Sequence, residues 1–219
     1  MSATATIGEP APALQIEKWV QGGPHSLTQL RGKLVLIEVF QVNCPGCFVH
    51  ALPEAVRLHQ HYRDHGLVVI GLATAFEDFD KNTEANLRRL LEHGELSGDP
   101  LQQLDAARLL QAGKIDYRLD FPVALDRLES VTPDTSSTAV HDFIIQQVPD
   151  FDQRNDDDKA IILHNARQYL ATRTLRPQTF TQYRLQGTPS AILIDREGLL
   201  REVSFGWNNH LEPIIRALL

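Results

Sequence analysis

Residues Lys33–Ala55 read "KLVLIEVFQVNCPGCFVHALPEA", and the order of chemistries along them decides what fold the chain can make. Leu34–Phe40 is a near-continuous apolar run, the pattern of a strand covered on both faces. Cys44 and Cys47 follow directly. Beyond them Phe48, Leu52, Ala55, Val56, Leu58 and Tyr62 recur at roughly helical spacing, with Gly66 as the stop. The 219-residue chain has 2 cysteines in all. Two thiols at a strand-to-helix junction admit three readings: a redox pair, half of a metal site, or two small core residues.

The junction itself favours the first. A thiol in the first turn of a helix faces unpaired backbone N–H groups and the positive end of the dipole, which stabilise thiolate over thiol. Such surroundings lower a cysteine pKa from about 8.5 to roughly 3.5–7.5. Pro45 suits the first helical position, where its missing N–H is not needed, and Gly46 adds no side chain to shield the leading sulfur. Residues three apart share one helical face, close enough for their sulfurs to bridge. Cys44 is expected as the exposed nucleophile and Cys47, one turn in, as the resolving thiol. His50 extends the motif to C-x-x-C-x-x-H, but structural zinc wants four ligands and there is no second cysteine pair. His50 itself reads as a partly exposed helix histidine. No metal is expected.

Working outward, hydrophobic residues make up 42% of the chain, enough for a packed core, and the net charge of −7 lacks the basic face that nucleic acid requires. No apolar run approaches the ~20 residues of a membrane helix. The start, "MSATATIGEPAPAL", lacks the basic and apolar regions of a secretory leader, so a cytoplasmic location is expected, with neither nucleic acid nor membrane as partner. "LVVIGLAT" (67–74) and "FPVALD" (121–126) read as strands. "NTEANLRRLLEHG" (82–94) is an amphipathic helix. "DPLQQLDAARLLQAG" (99–113) is another, with Asp99 as cap, Pro100 at the first position and Gln102 completing a capping box. "SAILIDREGLLREVSF" (190–205) reads as a strand, a turn at Asp195–Gly198 and an antiparallel return, and "LEPIIRALL" closes the chain as a helix. Strands alternating with helices, then a hairpin and a helix, make a mixed α/β sheet.

Residues 127–186 interrupt that plan. They carry the polar stretch "TPDTSST", a helix around "AVHDFIIQQV", and a second helix "DKAIILHNARQYLATRTL" preceded by Asp156–Asp158, where acidic side chains complement the helix dipole. A core of about 6–126 and 187–219 with a helical insertion of about 127–186, all in one domain, is the expected organisation. The insertion's apolar positions, Phe143, Ile144, Ile161, Ile162, Tyr169 and Leu170 among them, need covering by the domain itself or by a second copy, so monomer and homodimer both stay open.

Four separated features resemble the thioredoxin superfamily, in its TlpA-like or redoxin branch. These are C-P-G-C after a buried strand; Glu38, six residues before Cys44; "QGTPSAILIDREG" (186–198), similar to the family's cis-proline loop; and Gly206 after the hairpin. "IGEPAPALQIEKW" near the start is similar to the redoxin N-terminal segment. The resemblance implies a thioredoxin-like mixed sheet flanked by helices, with the helical insertion placed before the cis-proline strand. It also implies roles. Glu38, costly to ionise in an apolar strand, would take the proton of Cys47; Thr188 and Pro189 would present backbone to an extended substrate. Departures are Asn43, where most thioredoxins carry tryptophan, and Pro53, six residues after Cys47 and one more than the usual spacing.

The implied function is a thiol–disulfide oxidoreductase, a reductase in the reducing cytoplasm. It needs no bound cofactor, acts on a disulfide-containing protein or small molecule, and is recycled by an external thiol reductant. Two alternatives stand. One is a peroxiredoxin-like peroxidase with Cys47 as the peroxidatic thiol, although Cys44 and Phe40 occupy positions where that family carries a hydroxyl residue and a proline. The other is a non-enzymatic redox-sensing or adaptor module that binds a partner through the insertion.

Overall fold

The computed structural model describes residues 4–207 and 210–219; residues 1–3 of the N-terminal segment read above lie outside them. Its centre is a sheet ordered β1-β4-β3-β2-β7-β8. The strands are β1 (Ile16–Gln21), β2 (Leu34–Phe40), β3 (Leu67–Ala73), β4 (Val123–Asp126), β7 (Ser190–Ile194) and β8 (Leu200–Phe205). β2, β3 and β4 run parallel. β1 on β4, β7 on β2 and β8 on β7 are antiparallel, so the sheet is mixed.

All seven residues of β2 are buried, because successive side chains leave the strand on opposite faces and both faces are covered. Leu34, Leu36 and Phe40 join Cys47, Phe48, Leu52, Leu58 and Ile215 in one core. Val35, Ile37 and Val39 join Phe180, Tyr183 and Leu200 in the other. The first core lies under α1 (Leu52–Tyr62) and α7 (Leu211–Leu218); the second is closed by the short α6 (Gln178–Gln182). Gly66, with φ 103° and its N–H on the Arg63 carbonyl, turns the chain from α1 into β3. Glu38 is in register with Gly71. A Cβ at Gly71 would approach Phe121, Val123 and Phe40 within 3.1–3.3 Å, so this site takes glycine because three neighbours fill the space.

Several elements depart from the sequence reading. β1 lies in a stretch read above only as an N-terminal segment; its mixed exposure gives no clean alternation. α2 (Glu84–His93) has Thr83 as its cap and Gly94 after its end. α3 (Gly98–Ala106) begins one residue before the expected Asp99 cap and ends well before residue 113. Its early N–H at Asp99 is taken by Asn43 Oδ1, 56 residues away, at 3.0 Å, so a tertiary cap replaces the local capping box. α6 was not signalled either. It is capped from β4, where the Asp126 carboxylate accepts from Thr179 N–H at 2.8 Å and Phe180 N–H at 3.1 Å.

The chain divides into two compact units, 1–128 with 177–219 and 129–176. Residues 177–186, placed by sequence in the insertion, therefore belong to the sheet unit, because Phe180, Tyr183 and Leu185 fill its second core. The 129–176 unit contains α4 (Ser137–Gln147) and α5 (Asp156–Ala171). Its own core is Val140, Ile144, Phe151 and Ala166. The small ladder formed by β5 (Leu128–Ser130) and β6 (Leu175–Pro177) begins and ends it.

Candidate active site

Cys44 follows a tight turn in which its N–H donates to the Gln41 carbonyl at 3.2 Å. A helix starts at Pro45, and its next stretch, Cys47–Ala51, is a π-helical turn running into α1. Cys44 and Cys47 are joined in a disulfide with their Cα atoms 5.4 Å apart. Cys44 is half-buried and Cys47 has no exposed surface. The Cys47 N–H points at Cys44 Sγ from 3.3 Å, the kind of donor that stabilises a thiolate once the bond is opened. On the other side Cys44 Sγ lies 3.5 Å from the Thr188 carbonyl oxygen. Pro189 follows a cis peptide bond. A Cβ on Gly46 would sit 4.0 Å from the Pro189 ring. Sequence-distant Cys44, Cys47, Thr188 and Pro189 are thus brought together.

The surrounding bonds fix this arrangement. Gln41 is buried, accepts from Thr188 Oγ1 at 3.2 Å and donates to the Glu77 carbonyl at 3.2 Å, tying the proline loop to the cysteine turn. Asn43 donates its N–H to Asn82 at 2.9 Å and its amide to Asp78 at 2.8 Å, beside its tie to α3. Where most thioredoxins carry tryptophan, this chain has a buried polar clamp. Gln41 does not stand out in the sequence and Asn43 does so only as a departure from the family's tryptophan, because single amides carry no periodic or motif signal.

Glu38 projects from β2 on the face of Leu36 and Phe40, beneath the helix that starts at the cysteines. It opens toward Ala51 and Ala55, one to two turns beyond Cys47, into a cavity of about 10 Å³ whose lining also includes Glu54, Ala191 and Trp207. Its Oε1 has no hydrogen-bond partner among the described residues. Burial, reinforced by the negative charge of Glu54, pushes the Glu38 carboxyl well above the usual glutamate range. Glu54 in turn accepts from Trp207 Nε1 at 2.5 Å. His50 is exposed and stacks on Trp207, ring centres 5.0 Å apart. Among the described residues no group of three or more His, Cys, Asp or Glu side chains is placed to hold a metal ion.

No sequence-family model matches the chain. Solved structures do. A thioredoxin-like superfamily protein superposes with a TM-score of 0.59 at 26% identity, covering 96% of each chain. A thiol-disulfide isomerase from Corynebacterium glutamicum gives 0.58 at 28% identity, covering 98% of this chain and 96% of its own. Among curated proteins, FixW of Rhizobium leguminosarum is 32% identical over 77 residues, 35% of this chain, and the match spans about a third (34%) of FixW. The sheet, the cysteine junction and these similarities define the class: the chain belongs to the thioredoxin superfamily. Its Cys44–Cys47 disulfide at the head of a helix is the kind of thiol–disulfide centre that this class carries.

Proposed function

We propose that the chain is a TlpA-like disulfide reductase of the cytoplasm in which Cys44 attacks and Cys47 resolves. The observation that carries the assignment is the unequal exposure of the two sulfurs: Cys44 reaches solvent beside Thr188, while Cys47 is closed in the core. The reduced pair presents Cys44 as thiolate, held by the Cys47 N–H and the start of the helix. Its sulfur attacks a substrate disulfide, forming a mixed disulfide and expelling one substrate thiolate. An extended substrate segment pairs with backbone at Thr188 in this pose. Glu38 takes the Cys47 proton, the Cys47 sulfur attacks Cys44 Sγ, and the second substrate thiolate leaves. An external dithiol then reduces the Cys44–Cys47 bond.

Burial of Cys47 also speaks against a peroxidase in which that thiol meets peroxide first. Turnover of a disulfide-bonded substrate with an external dithiol tests the reading. Cys44→Ser is expected to abolish it, and Cys47→Ser to stall as a covalent mixed disulfide visible by mass spectrometry. Full turnover in Cys44→Ser would end the proposal. Equilibration of the pair against glutathione gives its potential, and a value well below that of the cytosolic pool, roughly −220 to −320 mV across methods, favours the reducing direction.

A further inference from the structure

With Glu38 as the base for Cys47, the proton it receives has to leave again before the next cycle. Glu38 is buried with one carboxyl oxygen unpartnered among the described residues, and the cavity it faces, about 10 Å³, also has Glu54 in its wall. That volume is about the least that admits one water. The Glu54 side chain is 14% exposed, so it is in contact with both the cavity and the solvent. We propose that Glu54 carries the Glu38 proton between that cavity and bulk water, with Trp207 holding the Glu54 carboxylate at the cavity wall. The proposal rests on the reading of Glu38 as the base for Cys47.

The groups that face Glu54 suit a relay. On its own helix, Arg57 Nη2 lies 3.7 Å from Glu54 Oε1 but only 2.7 Å from Glu212 Oε2 of α7, so the guanidinium is committed mainly to Glu212. Tyr62 also donates to Glu212, at 2.8 Å. From β2 comes Glu38, and from the segment after β8 comes the indole N–H of Trp207, whose ring is backed by His50. One Glu54 oxygen is thus fixed by a neutral donor, while Arg57, 3.7 Å from the other, is bound more closely to Glu212.

As the Cys47 sulfur attacks Cys44 Sγ, its proton passes to the Glu38 carboxylate. The Cys44–substrate bond breaks, and the departing thiolate takes a proton from solvent. Glu38 is then a neutral acid that must ionise before the next cycle. Its proton crosses one water to Glu54 and then reaches the bulk. The external dithiol supplies two electrons and restores the Cys47 thiol.

Three variants of the full chain separate the steps. Glu38→Gln removes the base, Glu54→Gln keeps an acceptor for the indole but cannot carry a proton, and Trp207→Phe keeps the carboxylate and removes its anchor. Each is assayed at fixed pH and ionic strength, in single turnover from the reduced protein and in steady state at saturating dithiol, with increasing formate or imidazole. Glu38→Gln slows the single-turnover resolving step by about a hundredfold. Glu54→Gln, which also removes the charge that helps hold the Glu38 carboxyl up, alters that step far less than Glu38→Gln does, loses steady-state turnover several-fold, and recovers it as the small buffer is raised; Trp207→Phe shows a weaker version of the same pattern. Steady-state turnover in Glu54→Gln equal to that of the parent, or a loss that buffer does not restore, overturns the relay while leaving Glu38 as base. An unchanged single-turnover step in Glu38→Gln removes the base and the relay with it.

Discussion

At the scale of single residues, Glu38 is the informative one. Every other side chain of β2 is apolar, and the carboxyl is placed where only its neutral form is comfortable. The folded protein therefore holds this proton above the ordinary glutamate value of 4.5, whereas the unfolded chain has lost it. Between those two values the native state binds more protons than the unfolded state, so stability falls as pH rises and levels off above the raised value. Denaturant unfolding of the oxidised protein across that window should show the parent losing stability relative to Glu38→Gln as pH increases. Parallel curves would mean that Glu38 titrates alike in both states. The sequence exposes Glu38 because a carboxylate in an apolar run is conspicuous. It does not expose Glu54 and Trp207, 153 positions apart, because nothing in either segment points to the other.

At the scale of elements, the helix that begins at the cysteines carries an irregularity with a local cause. Pro53 stands one residue later than the usual thioredoxin spacing, and the extra residue is absorbed as the π-helical turn Cys47–Ala51. In that turn Leu52 N–H reaches back five residues to the Cys47 carbonyl. The next such bond would run from residue 53 to Phe48, but proline has no N–H. The Phe48 carbonyl instead accepts from the Tyr117 hydroxyl at 2.9 Å, and burial pushes that phenol above the ordinary tyrosine range, keeping it a donor. Tyr117→Phe should therefore cost about 1 kcal/mol in denaturant unfolding and speed hydrogen exchange in the Cys47–Ala51 turn. Equal stability and exchange would show that the carbonyl finds another donor. The cap on α6 gives a sharper case. Asp126→Ala strands two buried backbone N–H groups and the Thr74 hydroxyl, which donates to Asp126 at 3.0 Å, so a loss of about 2 kcal/mol is expected from the same measurement.

At the scale of the molecule, one sheet separates two cores, and the segment 129–176 has a third core of its own. Its ends are close: Val131 N–H donates to the Thr174 carbonyl at 2.9 Å. Replacing 132–173 by a two-residue turn should leave the sheet unit folded and its cysteines able to oxidise, because loops closed across adjacent strands cost little chain entropy. Far-UV circular dichroism and thiol counting before and after oxidation check this. An unfolded product would mean that the sheet unit depends on the segment for its stability.

The sequence by itself determined the mixed α/β class, the central strand, the cysteine junction, the closing hairpin and the helices around them. Each is written in periodicity, a cap or a breaker that acts within a few residues. The resemblance added a role for Glu38, and it added the loop at Thr188–Pro189, which local pattern alone leaves undistinguished. Only the tertiary structure decided that α3 is capped by Asn43, that α6 is capped by Asp126, that residues 177–186 fill the sheet unit's second core, and that Glu54 shares a cavity with Glu38. Those are meetings of single polar or apolar side chains across long stretches of chain. Their energies depend on what burial places beside them, and a one-dimensional pattern does not record that.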